Sequence, residues 1–245
     1  MRHPVKTITW LSPQDEPESF PPLERALDEP AGLLAAGGDL SVPRLLAAYR
    51  RGIFPWYSPG QPVLWWSPDP RAVLFPEEFR CSRSLAKRLR NGGFEFAIDR
   101  DFRGVIEGCA APRAHSAGTW ITPEMLAAYV ELHRRGYAHS VETYRESRLV
   151  GGLYGVRLGS VFFGESMFSR ESDASKAALA KLVEVCLAQG IVVIDCQMAS
   201  SHLERLGSRV IPRSRFEALL REHTRLEPQA MTLPESSSVP PGKPR

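Results

Sequence analysis

Residues 174–197 read ASKAALAKLVEVCLAQGIVVIDCQ, and the change of rhythm inside them decides the fold class. Asp173 stands where an N-cap belongs, the helix-forming run 174–189 follows, and Gly190 supplies the stop. Residues 191–196, IVVIDC, are a short, apolar, β-branched run of the kind that fills the buried centre of a sheet. A long helix feeding a central strand predicts an α/β architecture.

Upstream, three β segments are expected at 138–145 (AHSVETYR), 148–156 (RLVGGLYGV) and 160–168 (SVFFGESMF), joined by turns at Glu146-Ser147 and Leu158-Gly159. Helices are expected at 82–91 and at 123–135, where Thr122 caps and Pro123 occupies the first turn. Downstream come a short helix near 200–206, a strand at 208–211 and a helix at 213–224. A meander, a long helix, a buried strand, a helix and a last strand form the element order of an acetyltransferase-type N-acyltransferase. The fold class read from this order is therefore α/β (α+β).

Proline sets the domain organisation. Of 21 prolines, 13 fall in residues 1–76, three in 77–225 and five in 226–245. A segment so rich in proline holds neither long helices nor central strands. Residues 1–70 are thus expected to be a small, turn-rich N-terminal domain around one or two short helices. The clearest helix is 41–51, with Ser41 as cap and Leu45, Leu46 and Tyr49 on one face. The acetyltransferase-like domain would cover 71–225. The polar, Pro- and Ser-rich stretch 226–245 is expected to be a disordered tail.

Composition excludes several classes of function. With 31 Lys and Arg against 28 Asp and Glu, the net charge of +3 makes any nucleic-acid surface a matter of clustering. A 43% hydrophobic and 24% charged chain of 245 residues has an ordinary soluble core. No apolar run reaches the roughly 20 residues that span a bilayer. The first twenty residues carry Pro, Asp and Glu where a signal peptide needs apolar ones, so none is expected there. Cys81, Cys109, Cys186 and Cys196 form no CxxC pair, and the histidines (His3, His115, His133, His139, His202, His223) show no ligand spacing. No metal is expected. GxxxxGK[ST], GxGxxG and GxSxG patterns are absent from the sequence.

Four stretches remain as candidates for chemistry. Alternation along 191–197 puts Val193, Asp195 and Gln197 on one face and Ile194 and Cys196 on the other. A carboxylate and an amide at the end of a buried strand could orient a nucleophile, or could merely satisfy the donors of the next turn. Glu165 lies among Phe162, Phe163, Met167 and Phe168. Its carboxylate needs a partner, either the ammonium of a ligand or an internal cation such as Arg170. Residues 80–90, RCSRSLAKRLR, hold Arg80, Arg83, Lys87, Arg88 and Arg90 with no acid, and Arg83, Lys87 and Arg90 fall on one helical stripe. Such a stripe is either a phosphate-contacting surface or a solvated helix face. Trp56, Trp65, Trp66 and Trp120 stand in turn contexts, where an aromatic can stack on a base or a peptide, or glue two domains together.

At these stretches the sequence resembles the leucyl/phenylalanyl-tRNA–protein transferases. The similarity runs from about Phe20 to Phe216. It is carried by EPAGLLAAGGDLSVPRLLAAYRRGIFPWYSPG (29–60), LWWSPDPRAVL (64–74), GTWIT (118–122), HSVE (139–142), LVGGLYGV (149–156), FFGESMFSR (162–170), DASKAAL (173–179), IDCQ (194–197) and HLERLGSRVIPR (202–213). The resemblance implies a bacterial, cytoplasmic enzyme with a small N-terminal and an acetyltransferase-like C-terminal domain. Such an enzyme moves Leu or Phe, and Met less well, from Leu-tRNA, Phe-tRNA or Met-tRNA onto proteins beginning with Arg or Lys. That transfer marks them for N-end-rule degradation, and a monomer without cofactor is expected.

By the same resemblance Asp195 and Gln197 are the catalytic pair that holds the acceptor's α-amine. Glu165 meets the α-ammonium of the aminoacyl group. Leu153, Phe162, Leu179, Leu182 and Ile194 form the apolar pocket for its side chain. Trp56, Trp120, Tyr49 and Tyr129 lie near the 3′-terminal adenosine and the peptide, and Arg80, Arg83, Lys87, Arg88 and Arg90 face the tRNA backbone. Leu153 stands where the family commonly has Met, and Leu182 where Phe occurs, which bears on the choice between Leu and Phe. An acyl-CoA acetyltransferase would need a glycine-bearing phosphate cradle where this chain reads SRESDASKAAL. A non-catalytic RNA-binding module would leave Asp195, Gln197 and Glu165 without a task.

Overall fold

The computed structural model describes residues 7–112 and 120–234. The residues expected at 235–245 of the tail, and the Gly118-Thr119 start of the GTWIT motif, lie outside these. Four short strands, β1 (Thr9–Leu11), β2 (Leu33–Gly37), β3 (Phe54–Pro55) and β4 (Leu64–Trp66), form a sheet in the order β1-β2-β4-β3. Helix α1 (Val42–Arg50) lies between β2 and β3. The reading of this segment as turns around short helices missed the sheet. Strands of two to five residues broken by proline leave too few positions for a period of two to show.

The second sheet has seven strands: β5 (Arg71–Leu74), β6 (Glu95–Ile98), β7 (Ala138–Arg145), β8 (Arg148–Leu158), β9 (Val161–Ser169), β10 (Val193–Gln197) and β11 (Arg209–Ile211), ordered β11-β5-β10-β9-β8-β7-β6. The meander β7-β8-β9 and the strand β10 fall where the sequence puts them, with the α/β class. Helices α2 (Arg83–Asn91), α3 (Phe102–Ala110), α4 (Pro123–Arg134), α5 (Ala174–Ala188), α6 (Ser201–Arg205) and α7 (Arg213–His223) complete the chain. The Oγ atoms of Ser82 and Thr122 accept from the N–H groups of Leu85 and Met125, so both residues cap their helices.

Alternation along the strands divides the core into two faces. Val141, Leu153, Phe162 and Ile194 pack with α5, whose Ala178, Leu179, Leu182 and Val183 are buried. Tyr154, Val156, Phe163 and Val193 face the other way, onto α3, α4, α1 and the small sheet. The same sheet face therefore continues into the N-terminal elements, and one apolar cluster joins them.

Three local expectations are corrected. Asp173 precedes α5 in the left-handed region (φ 64°) and makes no side-chain cap; its Oδ1 accepts from Lys176 Nζ at 2.7 Å instead. The Ser41 hydroxyl does not cap α1 either: Pro43 in the first turn has no N–H to give it. The Ser41 backbone N–H donates to Asp39 Oδ1 at 2.7 Å. Finally, residues 226–234 do not behave as a free tail. Met231 is buried, Ala230 O accepts from Arg157 at 3.1 Å, and Thr232 O accepts from Gln189 at 3.2 Å. One methionine in a polar sequence is enough to dock the segment against α5 and β8.

Candidate active site

Strands β9 and β10 run parallel and pair from Val193↔Val161 to Asp195↔Phe163. Beyond that point the pairing ends, although both strands continue. β9 stays with β8 as far as Gly151↔Ser169, and β10 stays with β5 at Gln197↔Ala72. The seven-stranded sheet is thus open at one end between β9, its middle strand, and the adjacent β10, and the candidate residues collect there.

A bulge on each strand shapes the opening. Tyr154 pairs with Ser166 and Gly155 with Gly164, so Glu165 is an extra residue in β9. Phe162 and Met167 both reach the α5 side although they are five apart, because the bulge absorbs the odd count. Asp195 pairs with Val73 and Gln197 with Ala72, so Cys196 is extra in β10. Gln197 then turns into the left-handed region (φ 61°), held by a 2.9 Å bond from its N–H to Asp195 Oδ1.

These distortions bring Glu165 and Gln197 together. Gln197 Nε2 donates to Glu165 Oε1 at 2.9 Å, Tyr49 Oη to the same oxygen at 2.8 Å, and Tyr129 Oη to Oε2 at 2.9 Å. The two tyrosine hydroxyls also lie against each other, but each phenol has a single proton, and both protons go to Glu165. Tyr49 comes from α1 and Tyr129 from α4, and both are fully buried while Glu165 and Gln197 keep access to solvent. Burial pushes the Glu165 carboxyl up to about 7, against the opposing pull of its Tyr49, Tyr129 and Gln197 donors and with a further push from the nearby Asp195 charge. Burial likewise pushes both phenols well above their ordinary value. Three donors aimed at one half-buried carboxylate make a receptor for a cationic or protonated group. The partner is not Arg170, whose Nη1 bonds Leu149 O and whose guanidinium lies over Phe168.

Asp195 takes a different place. It is completely buried, and both of its oxygens are taken by Arg71: Nε to Oδ1 at 2.8 Å and Nη2 to Oδ2 at 2.6 Å. Arg71 was missed in the sequence, because it sits in a proline-punctuated run and its partner Asp195 lies 124 residues away. Tyr154 also escaped notice. It is buried, packs edge-on against Tyr129, and its hydroxyl makes no hydrogen bond among the described residues.

The five apolar candidates, Leu153, Phe162, Leu179, Leu182 and Ile194, belong to one buried cluster on the α5 side, with Met167 and Cys196 at its edge. Ile194 and Asp195 therefore face opposite sides of the sheet, as alternation requires. The open end between β9 and β10 is where the two sides meet. Trp56, at 40% exposure, lies against Trp66 with ring centroids 5.5 Å apart, and Trp120 is half-buried against the core. On α2, buried Leu85 turns Arg83, Lys87 and Arg90 to solvent, and Arg80 is exposed just before the helix. Arg88 is held over the Phe94 ring and near Glu171, 4.0 Å away.

Among the described residues no group of three His, Cys, Asp or Glu gathers as metal ligands, and no helix is long and apolar enough to cross a membrane. Cys196 sits beside Asp195, and burial raises its thiol far above the usual range, which keeps it an unreactive filler.

Two family models match the chain: leucyl/phenylalanyl-tRNA protein transferase over residues 73–221 and the N-terminal domain of the same family over 38–69. A leucyl/phenylalanyl-tRNA–protein transferase of Pseudomonas entomophila is 60% identical over 216 residues, covering 88% of this chain and 95% of its own. The like-named protein of Azotobacter vinelandii is 60% identical over 205 residues, covering 84% and 91%. Among solved structures, L-PGS of Bacillus licheniformis aligns at TM-score 0.38 and 13% identity over 64% of this chain and 50% of that one. A GCN5-related N-acetyltransferase of Kribbella flavida aligns at TM-score 0.37 and 11% identity over 69% and 59%.

Proposed function

The chain belongs to the leucyl/phenylalanyl-tRNA–protein transferase family, an aminoacyltransferase, and from that premise we propose which groups carry the transfer and between which substrates. The donors are Leu-tRNA and Phe-tRNA, with Met-tRNA weaker. The acceptors are proteins whose first residue is Arg or Lys, which the added residue marks for N-end-rule degradation in the cytoplasm. The protein acts as a monomer.

The observation that carries this reading is the 2.9 Å bond between Gln197 Nε2 and Glu165 Oε1 at the open end of the sheet. Glu165, fixed by Tyr49 and Tyr129, receives the α-ammonium of the aminoacyl group. The side chain of that group enters the α5-side cluster of Leu153, Phe162, Leu179, Leu182 and Ile194. With one amide N–H of Gln197 turned to Glu165, its carbonyl oxygen, the acceptor end of the amide, takes an N–H from the acceptor's amine. The neutral amine attacks the ester carbonyl carbon, a C–N bond forms, and the C–O bond to the terminal adenosine breaks. The proton given up by the amine ends on that ribose oxygen. The ester is already activated, so holding amine and carbonyl in line supplies most of the acceleration. Trp56 and Trp120 stack at the adenosine and peptide end, and Arg80, Arg83, Lys87, Arg88 and Arg90 follow the tRNA backbone.

The test is transfer from labelled Leu-tRNA, Phe-tRNA and Met-tRNA, with acetyl-CoA in parallel, onto peptides beginning with Arg, Lys or Ala. Label from the tRNAs should reach only the Arg and Lys peptides. Acetylation of any peptide, or equal labelling of the Ala peptide, would overturn the reading.

A further inference from the structure

One guanidinium joins two of the three segments that supply donors to Glu165. Arg71, the first residue of β5, is 1% exposed. Besides its two bonds to Asp195, it donates from Nη1 to the Gly52 carbonyl at 2.9 Å. The rings of Phe54 and Phe216 lie 4.9 and 4.8 Å from its guanidinium carbon. Gly52 closes the turn after α1, three residues beyond Tyr49, and its N–H bonds the Tyr49 carbonyl at 3.0 Å. Asp195 in turn holds the N–H of Gln197. A single rigid group therefore connects the end of α1, which carries Tyr49, with the end of β10, which carries Gln197.

A buried ion pair is a poor device for stability alone, because well-packed apolar residues of similar volume often do as well. Its strength is geometry. The planar fork of arginine bonds a carboxylate through two parallel N–H groups and still has a third direction for Gly52, which the point charge of lysine cannot match.

We propose that Arg71 is a positioning residue for aminoacyl transfer: it sets the distance between Tyr49 and Gln197 across Glu165 without touching either substrate. The proposal rests on the site described under Proposed function. Asp195 accordingly acts through Gln197 and does not meet the amine itself.

The experiment measures kcat and KM for donor and acceptor in Arg71→Ala and Arg71→Lys. Rates are counted per molecule competent to bind aminoacyl-tRNA, so that incomplete folding does not enter. Tyr49 and Gln197 should move apart by a fraction of an ångström to an ångström, which costs on the order of 10²-fold in rate. The expected result is that loss in kcat for Arg71→Ala, a smaller loss for Arg71→Lys, unchanged tRNA affinity in both, and partial recovery of Arg71→Ala by added guanidinium ion. If Arg71→Ala does not fold, Arg71→Lys decides alone. Unchanged kcat per competent molecule, or a loss of tRNA affinity equal to the loss of rate, overturns the proposal. Gln197→Ala is assayed beside them. Loss of transfer there with Arg71 variants unaffected overturns only the role of Arg71, whereas full transfer by Gln197→Ala overturns the site itself.

Discussion

Replacing Glu165 by Gln should change the pH dependence of stability in a direction that follows from the site. The folded protein holds this carboxyl at about 7, against an ordinary value of 4.5. At about 1.4 kcal/mol per pH unit, ionising it in the fold costs about 3 kcal/mol more than ionising it in the unfolded chain. For an acid raised on folding, the cost is absent below pH 4.5, grows as pH rises toward 7, and is complete above that. Wild type should therefore lose roughly 2–3 kcal/mol between pH 5 and pH 8 relative to Glu165→Gln, which has no proton to release there. Urea unfolding of both proteins at the two pH values measures this directly. Transfer should move the opposite way. The amide has no charge for the aminoacyl ammonium, so the ratio of wild-type to variant kcat/KM should fall as pH drops through 7 and Glu165 becomes protonated. Taking a ratio cancels the ionisation of the acceptor amine. A stability difference that stays constant from pH 5 to pH 8 would refute the argument, because it would mean that the three donors fully offset burial.

Two further outcomes test other parts of the molecule. Reversing charge at Arg83 and Lys87, both exposed on α2, should weaken binding of every competent tRNA alike and flatten the dependence of log Kd on log salt by about two contacts; unequal effects among isoacceptors would point to base readout. Gly155→Ala would put a Cβ 2.2 Å from Phe163 O and 2.6 Å from the Phe162 ring. Neither the ladder nor a ring in the α5-side cluster can yield cheaply, so a loss of about 1–3 kcal/mol in urea unfolding is expected, and a neutral result would show that β8 shifts freely.

The parts of this molecule legible in its sequence are those built from long local patterns. The 174–189 helix and the 138–168 meander carry enough patterned positions to be read, and the IVVIDC strand shows itself as an unbroken β-branched apolar run behind Gly190. What escaped was set by partners far away in sequence. Strand β5 has only four residues behind Asp69-Pro70, and it is a strand because β10 and β11 flank it. Arg71 was hidden with it. The bulges at Glu165 and Cys196 were equally invisible, since an extra residue shows only against a paired strand. Glu165 was recognisable as a carboxylate in apolar company that needed partners. That the protein partners are Tyr49 and Tyr129 depends on how α1 and α4 pack over the sheet, which no local pattern encodes. Resemblance to a family named those tyrosines without indicating that both donate to Glu165.

The parting of β9 from β10 has a mechanical consequence. Each strand is stitched to its outer neighbour, so neither can swing inward without breaking a ladder. The aperture behaves as a fixed jaw. Among the described residues, the opening between the two strands is thus a preformed slot.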